Sequence, residues 1–369
     1  MKAAIVCISD NFFDRVRMLK KYYLSKGCEV VVVTSDFSHR KKEKMDSLED
    51  ADILLDTPRY SRNLSLKRMR SHRDFAKSAA REMERLKPDI IHTIVPANSL
   101  CKAMAGYKKK HPEVRLYFDI NDLWPEALPI RGFEWFPVFT SWRKLREDYL
   151  PYADEVFLEC ELFKEGIRTD LDYTVLHFAR SNEPMPIKRK LSKDRVELVY
   201  LGSINNIIDI DLICKIADEV GRLKPTTVHI IGEGENKDRL IESLKKTRAD
   251  VRDHGVIFDV DEKQAVFDCC NYGLNVMKPD VMVGLTMKSL DYMIGGVPLI
   301  NSIGGDTSEL VEKYDLGYNV DRDNLKQLAR SICEEDLETQ YKRRENMQKV
   351  YKDFFSEAVF FDTLSKAKA

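Results

Sequence analysis

The segment VMVGLTMKSLDYMIGGVPLI, residues 281–300, places one lysine and one aspartate beside a glycine-containing turn. Its apolar spacing predicts a helix near residues 287–295, and a helix N-terminus favours an anion such as a phosphate. Lys288 would add a positive charge there. The carboxylate of Asp291, on nearly the same helix face, can accept two hydrogen bonds from a vicinal diol such as a ribose. A solvated Lys–Asp pair on a helix surface is the competing interpretation.

Two other segments of the same half run from an apolar strand through glycine and a polar loop into a helix. They are VYLGSINN, with Gly202 and Ser203, and IIGEGENKDRL, with Gly232 and Gly234. Glycine lets a backbone approach a ligand closely, although neither segment fits a dinucleotide-binding or phosphate-loop motif. Because parallel sheets bind ligands beyond the carboxyl ends of their strands, three such loops at one end of one sheet predict a ligand site.

The elements that must position these residues alternate between short apolar runs and longer helical patterns. Strand candidates in the first half are AAIVCI, EVVVVT, DIIHTIV, VRLYFDI, EVFLEC and YTVLHF. The second half has VELVYLGS, TTVHIIGEG, VIFDV, YGLNVM and VPLINS. Such Val/Ile-rich runs are typical of parallel sheets buried on both faces. We therefore predict an α/β protein with two Rossmann-like domains in tandem, facing each other across a cleft.

Poor periodicity, two prolines and a basic cluster mark the boundary between the two halves. We predict an N-terminal domain over residues 1–180, a linker over 181–194 and a C-terminal domain over 195–350. Residues 351–369 are expected to form a helix that packs back toward the N-terminal domain.

Composition narrows the class of protein. With 43 % hydrophobic and 33 % charged residues, a disordered chain is excluded, and no apolar run reaches the length of about 20 residues that spans a bilayer. Eight cysteines without a CxxC pair favour free thiols in a reducing cytoplasm over disulfides or a zinc site. A net charge of −1 argues against a nucleic-acid binder, although residues 59–115 carry fifteen Lys or Arg against five Asp or Glu.

Part of that local excess lies on a helix predicted over residues 67–87. At 100° per residue, five cations fall within an arc of about 120°. They are Arg70, Arg73, Lys77, Arg81 and Arg85. Two interpretations stay open: an ordinary solvated face, or a surface that contacts anionic lipid or a lipid-diphosphate acceptor.

Polar side chains also gather where first-half strands end. In RLYFDINDLWPEALP, Asp119, Asn121 and Asp122 close a strand, and a turn-capping role competes with a functional one. Other candidates are Asn11 and Arg15 after the first strand, and Asn98 with Ser99 at a predicted helix start, where capping is the strong alternative. His92 stands inside an apolar strand and is interpreted as a core residue.

Six motifs together carry a family resemblance that spans nearly the whole chain. They are YLGSI, VHIIGEGENKDRL, GLTMKSLDYMIGGVPLI, NLSLKRMRSHRDFAK, IVPANSLCKAMAGYKKKH and FDINDLWPEALP. The chain resembles retaining family-4 glycosyltransferases of the GT-B fold, of the type that builds bacterial surface and capsular polysaccharides. The resemblance implies a nucleotide-sugar donor in the C-terminal domain and an acceptor in the N-terminal domain.

The resemblance and the residue patterns together give three groups of candidate site residues. The catalytic candidates are Asn121, Asp122, Asp119 and Lys288. The donor-binding candidates are Gly202, Ser203, Gly232, Gly234, Val260, Gly284, Leu285, Thr286, Met287 and Asp291. The acceptor-binding candidates are Asn11, Arg15, Asn98, Glu126 and Arg73.

The chain departs from the family at four of the aligned positions. The family has two glutamates with seven residues between them; the second falls on Asp291, and the first, which holds the donor sugar, falls on Val283. The family's diphosphate-binding Arg and Lys fall on Ser203 and Ile208, so Lys288 and the N–H groups of residues 285–287 must supply that charge. A histidine frequent in the family is replaced by Asn121, which can bind a hydroxyl but cannot shuttle a proton.

The resulting hypothesis is a retaining, metal-independent hexosyltransferase. It would use a UDP- or GDP-linked sugar as substrate, no cofactor and no metal, and a lipid-linked or glycan acceptor in surface polysaccharide or glycoconjugate synthesis. It would act in the cytoplasm, or peripherally on the inner face of the cell membrane. The alternative is a catalytically weak GT-B-like binding partner that stabilises a true transferase, and the loss of the first glutamate at Val283 is its support. A nucleotide-sugar epimerase would want acids and a histidine in the cleft, which these motifs do not match.

Overall fold

The computed structural model describes residues 1–127, 135–279 and 281–367. It divides into two compact units: the first comprises Met1–Ala179 with the residues from Phe360 onward, and the second comprises Arg180–Val359. Each unit is a parallel sheet flanked by helices, which confirms the predicted α/β class. The last two residues of the motif FDINDLWPEALP lie outside the described residues.

The described part of the first unit holds a seven-stranded parallel sheet in the order β3-β2-β1-β4-β5-β6-β7. The strands are β1 Lys2–Cys7, β2 Glu29–Ser35, β3 Ile53–Leu55, β4 Ile90–Val95, β5 Arg115–Ile120, β6 Glu155–Leu158 and β7 Thr174–Val175. The helices are α1 Phe13–Ser25, α2 Leu66–Leu86, α3 Asn98–Lys110 and α4 Pro137–Glu147, with short 3₁₀ turns at Asp10–Phe12, Leu150–Tyr152 and Glu161–Glu165.

The ends of α2 show how local sequence sets the limits of a helix in this unit. The Ser65 hydroxyl accepts from the N–H of Arg68 at 3.2 Å, which satisfies one free donor of the first turn. The helix ends at Lys87, whose left-handed backbone lets its N–H bond to the carbonyl of Met83 at 2.8 Å. The apolar stripe of α2 packs on the unit's core, while its charged face stays in solvent.

The described part of the second unit holds a six-stranded parallel sheet in the order β10-β9-β8-β11-β12-β13. Its strands are β8 Val196–Leu201, β9 Thr226–Ile231, β10 Asp250–Asp253, β11 Tyr272–Asn275, β12 Leu299–Asn301 and β13 Gly317–Asn319. Its helices are α5 Ile210–Gly221, α6 Lys237–Leu244, α7 Val260–Phe267, α8 Met287–Gly295, α9 Asp306–Tyr314, α10 Leu325–Glu334 and α11 Leu337–Phe354, with a 3₁₀ turn at Arg322–Asn324.

The central strands of the second unit are buried on both faces, as their Val/Ile content predicted. The ring of Tyr292 lies against Gly273, where a Cβ atom would stand 2.7 Å from the ring. The Tyr292 hydroxyl donates to the carbonyl of Val199 at 3.0 Å and accepts from the N–H of Leu201 at 2.8 Å. These contacts fix α8, the helix of the candidate donor site, against the middle of the sheet.

Three secondary-structure predictions were wrong or incomplete. The run VIFDV, residues 256–260, is not a strand; the strand is β10, Asp250–Asp253, which precedes it. Strands β3 and β13 were not predicted; both are short, and all of their residues are only partly buried. The helix predicted over 351–369 is broken near Phe355: α11 ends at Phe354, and a further helix, α12, spans Glu357–Lys366.

The last helix supplies part of the first unit's core. Phe360 and Leu364 are buried with apolar residues of β1 and α1. The Phe361 ring lies 5.4 Å from that of Tyr22. In the described part of the chain, no helix is both long and apolar enough to cross a membrane.

Candidate functional site

The N-terminus of α8 is built by a tight set of side-chain and backbone hydrogen bonds. Thr286 caps the helix, because its Oγ1 accepts from the N–H of Ser289 at 3.1 Å. The carbonyl of Gly284 accepts from both the N–H and the Oγ1 of Thr307, at 2.9 and 2.6 Å, which ties the turn to the start of α9. The turn before the helix is therefore fixed from two sides.

A row of asparagines extends this support across the sheet. Asn275 at the end of β11 donates to the Oγ of Ser289 at 3.1 Å and to the Oδ1 of Asn301 at 2.9 Å. Asn301 in turn donates to the Oδ1 of Asn319 at 2.8 Å. Because Ser289 also bonds to the Thr286 hydroxyl at 2.7 Å, the helix cap is connected to the ends of three adjacent strands.

Lys288 is buried at this helix N-terminus with a relative exposure of 9 %. No described residue accepts a hydrogen bond from its Nζ, which lies 5.2 Å from the centre of the Tyr200 ring. Burial lowers the pKa of the Lys288 ammonium to about 7. A buried ammonium without an acceptor is unfavourable, so the site is suited to an anion that arrives from outside.

The backbone adds further donors at the same place. Among the described residues, no acceptor is found for the N–H groups of Leu285, Thr286 and Met287, as expected for the first turn of a helix. These groups and Lys288 are the donors that the sequence predicted for a diphosphate. The solvated-lysine interpretation does not fit the burial of Lys288.

Asp291 lies in a different electrostatic setting from Lys288. Its carboxylate is 3.3 Å from the Nζ of Lys263 and 3.6 Å from the Nη2 of Arg180, and its side chain is 21 % exposed. Lys288 is not among the ion-pair partners found for Asp291 in the described residues. The carboxylate is thus held in position by two cations, with part of its surface open to a ligand.

The glycines of the other two loops have an explanation within the protein. A Cβ on Gly232 would stand 2.0 Å from the carbonyl oxygen of Gly202, and one on Gly234 would stand 2.4 Å from that of Ile204. Both glycines have positive φ angles, 153° and 155°. The two loops pack backbone to backbone, so these glycines are required by the fold whether or not a ligand also approaches them.

Three further positions on the donor side do not belong to the hydrogen-bonded network described at the start of α8. Ser203 is exposed, and Ile208, where the family has a cation, is buried in the core of the second unit. Val260 is the first residue of α7 and is 44 % exposed, beside Phe258 at 91 %. Sequence reasoning missed Phe258, because the segment was interpreted as a buried strand.

In the first unit, Asp119 at the carboxyl end of β5 is the centre of a buried polar network. Arg15 donates to both its carboxylate oxygens, at 2.7 and 2.9 Å. Asn121 Nδ2 donates to Oδ1 at 2.8 Å, and the Nε2 of His92 lies 3.3 Å from Oδ2. Burial opposes ionisation of Asp119, but Arg15 and His92 hold its pKa at about 2. The structure therefore brings together three predicted site residues and His92.

Arg15 is integrated into the fold by more than this ion pair. It donates to the carbonyls of Leu176 and His177, each at 2.7 Å, and its guanidinium lies 4.7 Å from the centre of the Phe360 ring. Arg15 and Asp119 are both fully enclosed. Asn121 is also buried, but its Oδ1 has no described hydrogen-bond partner, so it retains an acceptor for a ligand.

Two acceptor-side candidates also have partners within the protein. Asn98 is not the cap of α3; that position is Ala97, and the Asn98 amide donates to the carbonyl of Trp124 at 2.7 Å. Glu126 accepts from the Nε of Arg143 at 2.5 Å and from the Nη1 of Arg146 at 3.1 Å. Both contacts hold the segment after β5 against α3 and α4.

Asn11 and Asp122 line a small pocket of about 50 Å³ at the carboxyl ends of β1, β2, β4 and β5. Burial raises the pKa of Asp122 to about 6. The other polar and aromatic residues that line this pocket include six that sequence reasoning did not select: His39, Tyr60, Arg68, Ser71, His72 and Trp124. A signal did exist, since Arg68 and His72 occupy the buried stripe of α2 with Phe75 and Ala79.

The charged face of α2 borders a second concavity in the first unit. Arg73 and Lys77 are exposed on α2 and stand at the rim of a groove of about 400 Å³ between α2 and α3. The rim also carries Lys102, Lys110 and one acid, Glu84. The floor of the groove is apolar and consists mainly of small residues: Ala76, Ala80, Ala103 and Gly106, with Leu145. The structure thus separates Arg73 from the pocket that contains Asn11 and Asp122.

The described side chains form no candidate metal site. In residues 1–127, 135–279 and 281–367, no group of three or more His, Cys, Asp or Glu side chains could hold a metal ion. The eight cysteines are unpaired thiols.

Comparison with known proteins gives a family match for part of the chain and similar folds for nearly all of it. Residues 195–334 match the model of the family described as Glycosyl transferases group 1. The lipopolysaccharide outer core galactosyltransferase WaaB is 17 % identical with a TM-score of 0.65, over 100 % of this chain and 99 % of that one. Anabaena HepE in complex with UDP and glucose is 14 % identical with a TM-score of 0.67, over 99 % and 98 %. The search of curated proteins gave no match.

A third similar structure has a different set of ligands. S. aureus TarM, in a complex with fondaparinux, α-GlcNAc-glycerol and UDP, is 12 % identical with a TM-score of 0.66, over 100 % of this chain and 99 % of that one. At these identities the structural similarity shows the fold. Together with the family match, it confirms the resemblance to glycosyltransferases of the GT-B fold that the sequence motifs indicated.

Proposed function

We propose that the chain is a glycosyltransferase that moves a hexose-type sugar from a UDP- or GDP-linked donor to a hydroxyl of a lipid-linked or glycan acceptor. The observation that carries this proposal is Lys288, a buried ammonium without a described acceptor at the N-terminus of α8. The match of residues 195–334, which include α8, to a glycosyltransferase family and the UDP bound in the similar HepE structure support a nucleotide-sugar donor.

The donor diphosphate would lie at the start of α8. There the N–H groups of Leu285, Thr286 and Met287 and the ammonium of Lys288 would face its oxygens. When the sugar–phosphate bond breaks, negative charge builds on the leaving oxygen, and donors already in position stabilise it without reorganisation. We assign this charge stabilisation to Lys288 and the backbone, and therefore propose a metal-independent reaction. The proposal that it retains the anomeric configuration rests on the resemblance to retaining family-4 enzymes.

The ribose would be held by Asp291. Lys263 and Arg180 hold its carboxylate in place, while its exposed part accepts from the ribose hydroxyls. The acceptor would bind in the first unit, where Asn11, Asn121 and Asp122 offer polar atoms beyond the ends of β1 and β5. Products of this kind belong to surface polysaccharide or glycoconjugate synthesis.

A membrane surface is the third proposed partner. The cations of the α2 face can pair with anionic lipid headgroups, and the apolar floor of the α2–α3 groove can contact the acyl chains. We propose a cytoplasmic protein that associates peripherally with the inner face of the cell membrane through this surface.

The decisive experiment compares turnover of wild type with Lys288→Met at saturating donor, after a thermal-shift screen with UDP- and GDP-sugars. The methionine keeps the buried aliphatic stem and removes the charge. Loss of one transition-state donor is expected to cost about a hundredfold in rate. Lys326→Met, at an exposed position of α10, is the matched control and should leave turnover unchanged. Equal turnover of Lys288→Met and wild type would refute the assignment.

One observation favours a second candidate, a GT-B-like protein that binds a glycan or nucleotide without turnover. Where the resemblance expects a carboxylate for the donor sugar, the chain has the apolar Val283. Slow hydrolysis of the donor without acceptor separates the two candidates. An enzyme releases free sugar and nucleoside diphosphate, whereas a binding partner gives a thermal shift and no product.

A further inference from the structure

Arg68 differs from every other buried arginine in the described part of the chain. Five arginines are buried there, and three of them pair with carboxylates. These three are Arg15, Arg146 and Arg343. Arg344 donates to the backbone carbonyls at the end of α7. Arg68 has no described carboxylate at ion-pair distance, and it lines the pocket at the carboxyl ends of β1, β2, β4 and β5.

The contacts of Arg68 leave donors free to face that pocket. Its Nη1 donates to the carbonyl of Asn63 at 3.0 Å, its Nε donates to the Nε2 of His72 at 3.3 Å, and it also bonds to the side chain of Tyr60. The guanidinium lies 4.0 Å from the centre of the Trp124 ring, so an aromatic face, not an anion, covers it on one side. A buried guanidinium in this state has unused hydrogen-bonding capacity.

His72 supplies another donor, and this one has no described acceptor. Because its Nε2 accepts from Arg68, the neutral ring must carry its proton on Nδ1. Burial, with Arg68 and His39 nearby, lowers the pKa of His72, which keeps the ring neutral. Its Nδ1 is buried and has no described partner. A donor in this position requires an acceptor that the described residues do not provide.

Two more groups extend the same pattern. The Oγ of Ser71, fully buried and lining the pocket, has no described partner either. Lys42 lies behind two lining residues: its Nζ is 3.3 Å from the Nδ1 of His39 and 4.9 Å from the centre of the Tyr60 ring. No described carboxylate pairs with Lys42. The pocket lining therefore supplies one cation, Arg68, and two neutral donors, while a second cation, Lys42, lies beside the lining residue His39.

The acids near the pocket limit what the ligand can be. Asp10 is occupied, since it accepts from the Oγ of Ser38 and the N–H of His39 at 2.6 and 2.9 Å. Asp122 is the one carboxylate among the described lining residues, and it can accept from a hydroxyl. A ligand that satisfies both sides has anionic oxygens for Arg68 and its neighbours, and a hydroxyl for Asp122.

We propose that this pocket binds the phosphate group of a phosphorylated sugar or polyol, free or at the head of a lipid, and that this molecule is the acceptor. Three donor residues that line one pocket, Arg68, Ser71 and His72, with the Lys42 ammonium beside His39, suit the tetrahedral oxygens of a phosphate better than the planar pair of a carboxylate. The word acceptor rests on the proposed function, whereas the phosphate site rests only on the contacts of the first unit.

Calorimetry with glucose 1-phosphate, glucose, glucuronate and decyl phosphate tests the site on the full chain. Arg68→Gln is expected to weaken glucose 1-phosphate binding at least about tenfold, because a charge-assisted bond to phosphate is lost. Ser71→Ala, which removes a hydroxyl without a described partner, should fold normally and weaken binding several-fold. Arg115→Gln, at the exposed amino-terminal edge of the same sheet, is the control and should bind as wild type does.

Each probe has a defined consequence. Binding of decyl phosphate but not glucose 1-phosphate, with the same loss in Arg68→Gln, supports the site and assigns the phosphate to a lipid head. Equal affinity for glucose or glucuronate overturns the assignment to phosphate, as does unchanged binding in Arg68→Gln. UDP-glucose and GDP-mannose binding are measured in parallel: retained donor binding without phosphate binding refutes only this site, and absent donor binding refutes only the proposed function.

Discussion

Donor binding should take up a proton, because the charge that holds the diphosphate is only partly present in the free protein. Burial lowers the pKa of Lys288 to about 7, and an adjacent diphosphate would raise that pKa again by stabilising the ammonium. At pH 8 about nine-tenths of the free protein would carry neutral Lys288, and at pH 6 about one-tenth. Affinity for the nucleotide sugar should therefore fall about tenfold from pH 6 to pH 8, or about 1.4 kcal/mol.

Calorimetry in buffers of different ionisation enthalpy measures this uptake directly, with about 0.9 proton per donor expected at pH 8 and about 0.1 at pH 6. Lys288→Met should bind the donor more weakly and with little dependence on pH over this range. The variant should also be at least as stable as wild type below pH 7, because it removes a buried ammonium that has no described acceptor. A pH-independent affinity in wild type, or the same pH slope in the variant, would refute the role of Lys288.

Three other predictions follow from the described contacts. Asp291→Ala should weaken nucleotide-sugar binding by about 1.5–3 kcal/mol, the scale of a hydrogen bond to a charged group, and unchanged affinity by calorimetry would misplace the ribose. Gly234→Ala should destabilise the second unit by about 1–3 kcal/mol in urea titrations, because its Cβ would strike the backbone of the neighbouring loop at 2.4 Å. Gly255→Ala, with open space around it, is the control and should cost less. Reversing three cations of α2 to glutamate should reduce sedimentation with anionic vesicles and remove its salt dependence, and equal sedimentation of both proteins would exclude this surface. The three are Arg73, Lys77 and Arg81.

The sequence predicted elements well where periodicity and punctuation agree. The bounds of α8 were expected near 287–295 and are Met287–Gly295, because an apolar stripe there is closed by Gly296 in a left-handed conformation. The strand at VIFDV was wrong for a physical reason. The edge strand Asp250–Asp253 pairs through its backbone and faces solvent on its side chains, so it has no apolar signature.

The site was predictable in part. Lys288 and the glycine turn were selected from local sequence, but the burial of Lys288 depends on Tyr200, 88 positions earlier in the chain. The ion pair between Arg15 and Asp119 joins residues 104 positions apart. Such distances lie beyond any local pattern. Arg68 was visible as a cation on the apolar stripe of α2, yet its lack of a described carboxylate at ion-pair distance is a property of the folded pocket.

The last helix of the chain has a consequence for how the protein is made and divided. Phe360 and Leu364 belong to the core of the first unit, although the ribosome completes the entire second unit before reaching them. Until Phe360 and Leu364 are made, the apolar surface of β1 and α1 that they cover stays exposed, and this surface is an open seam in the core of the first unit. A fragment cut after Ala179, or a chimera that exchanges units at that point, would leave this seam uncovered unless the residues from Phe360 onward were grafted back onto it.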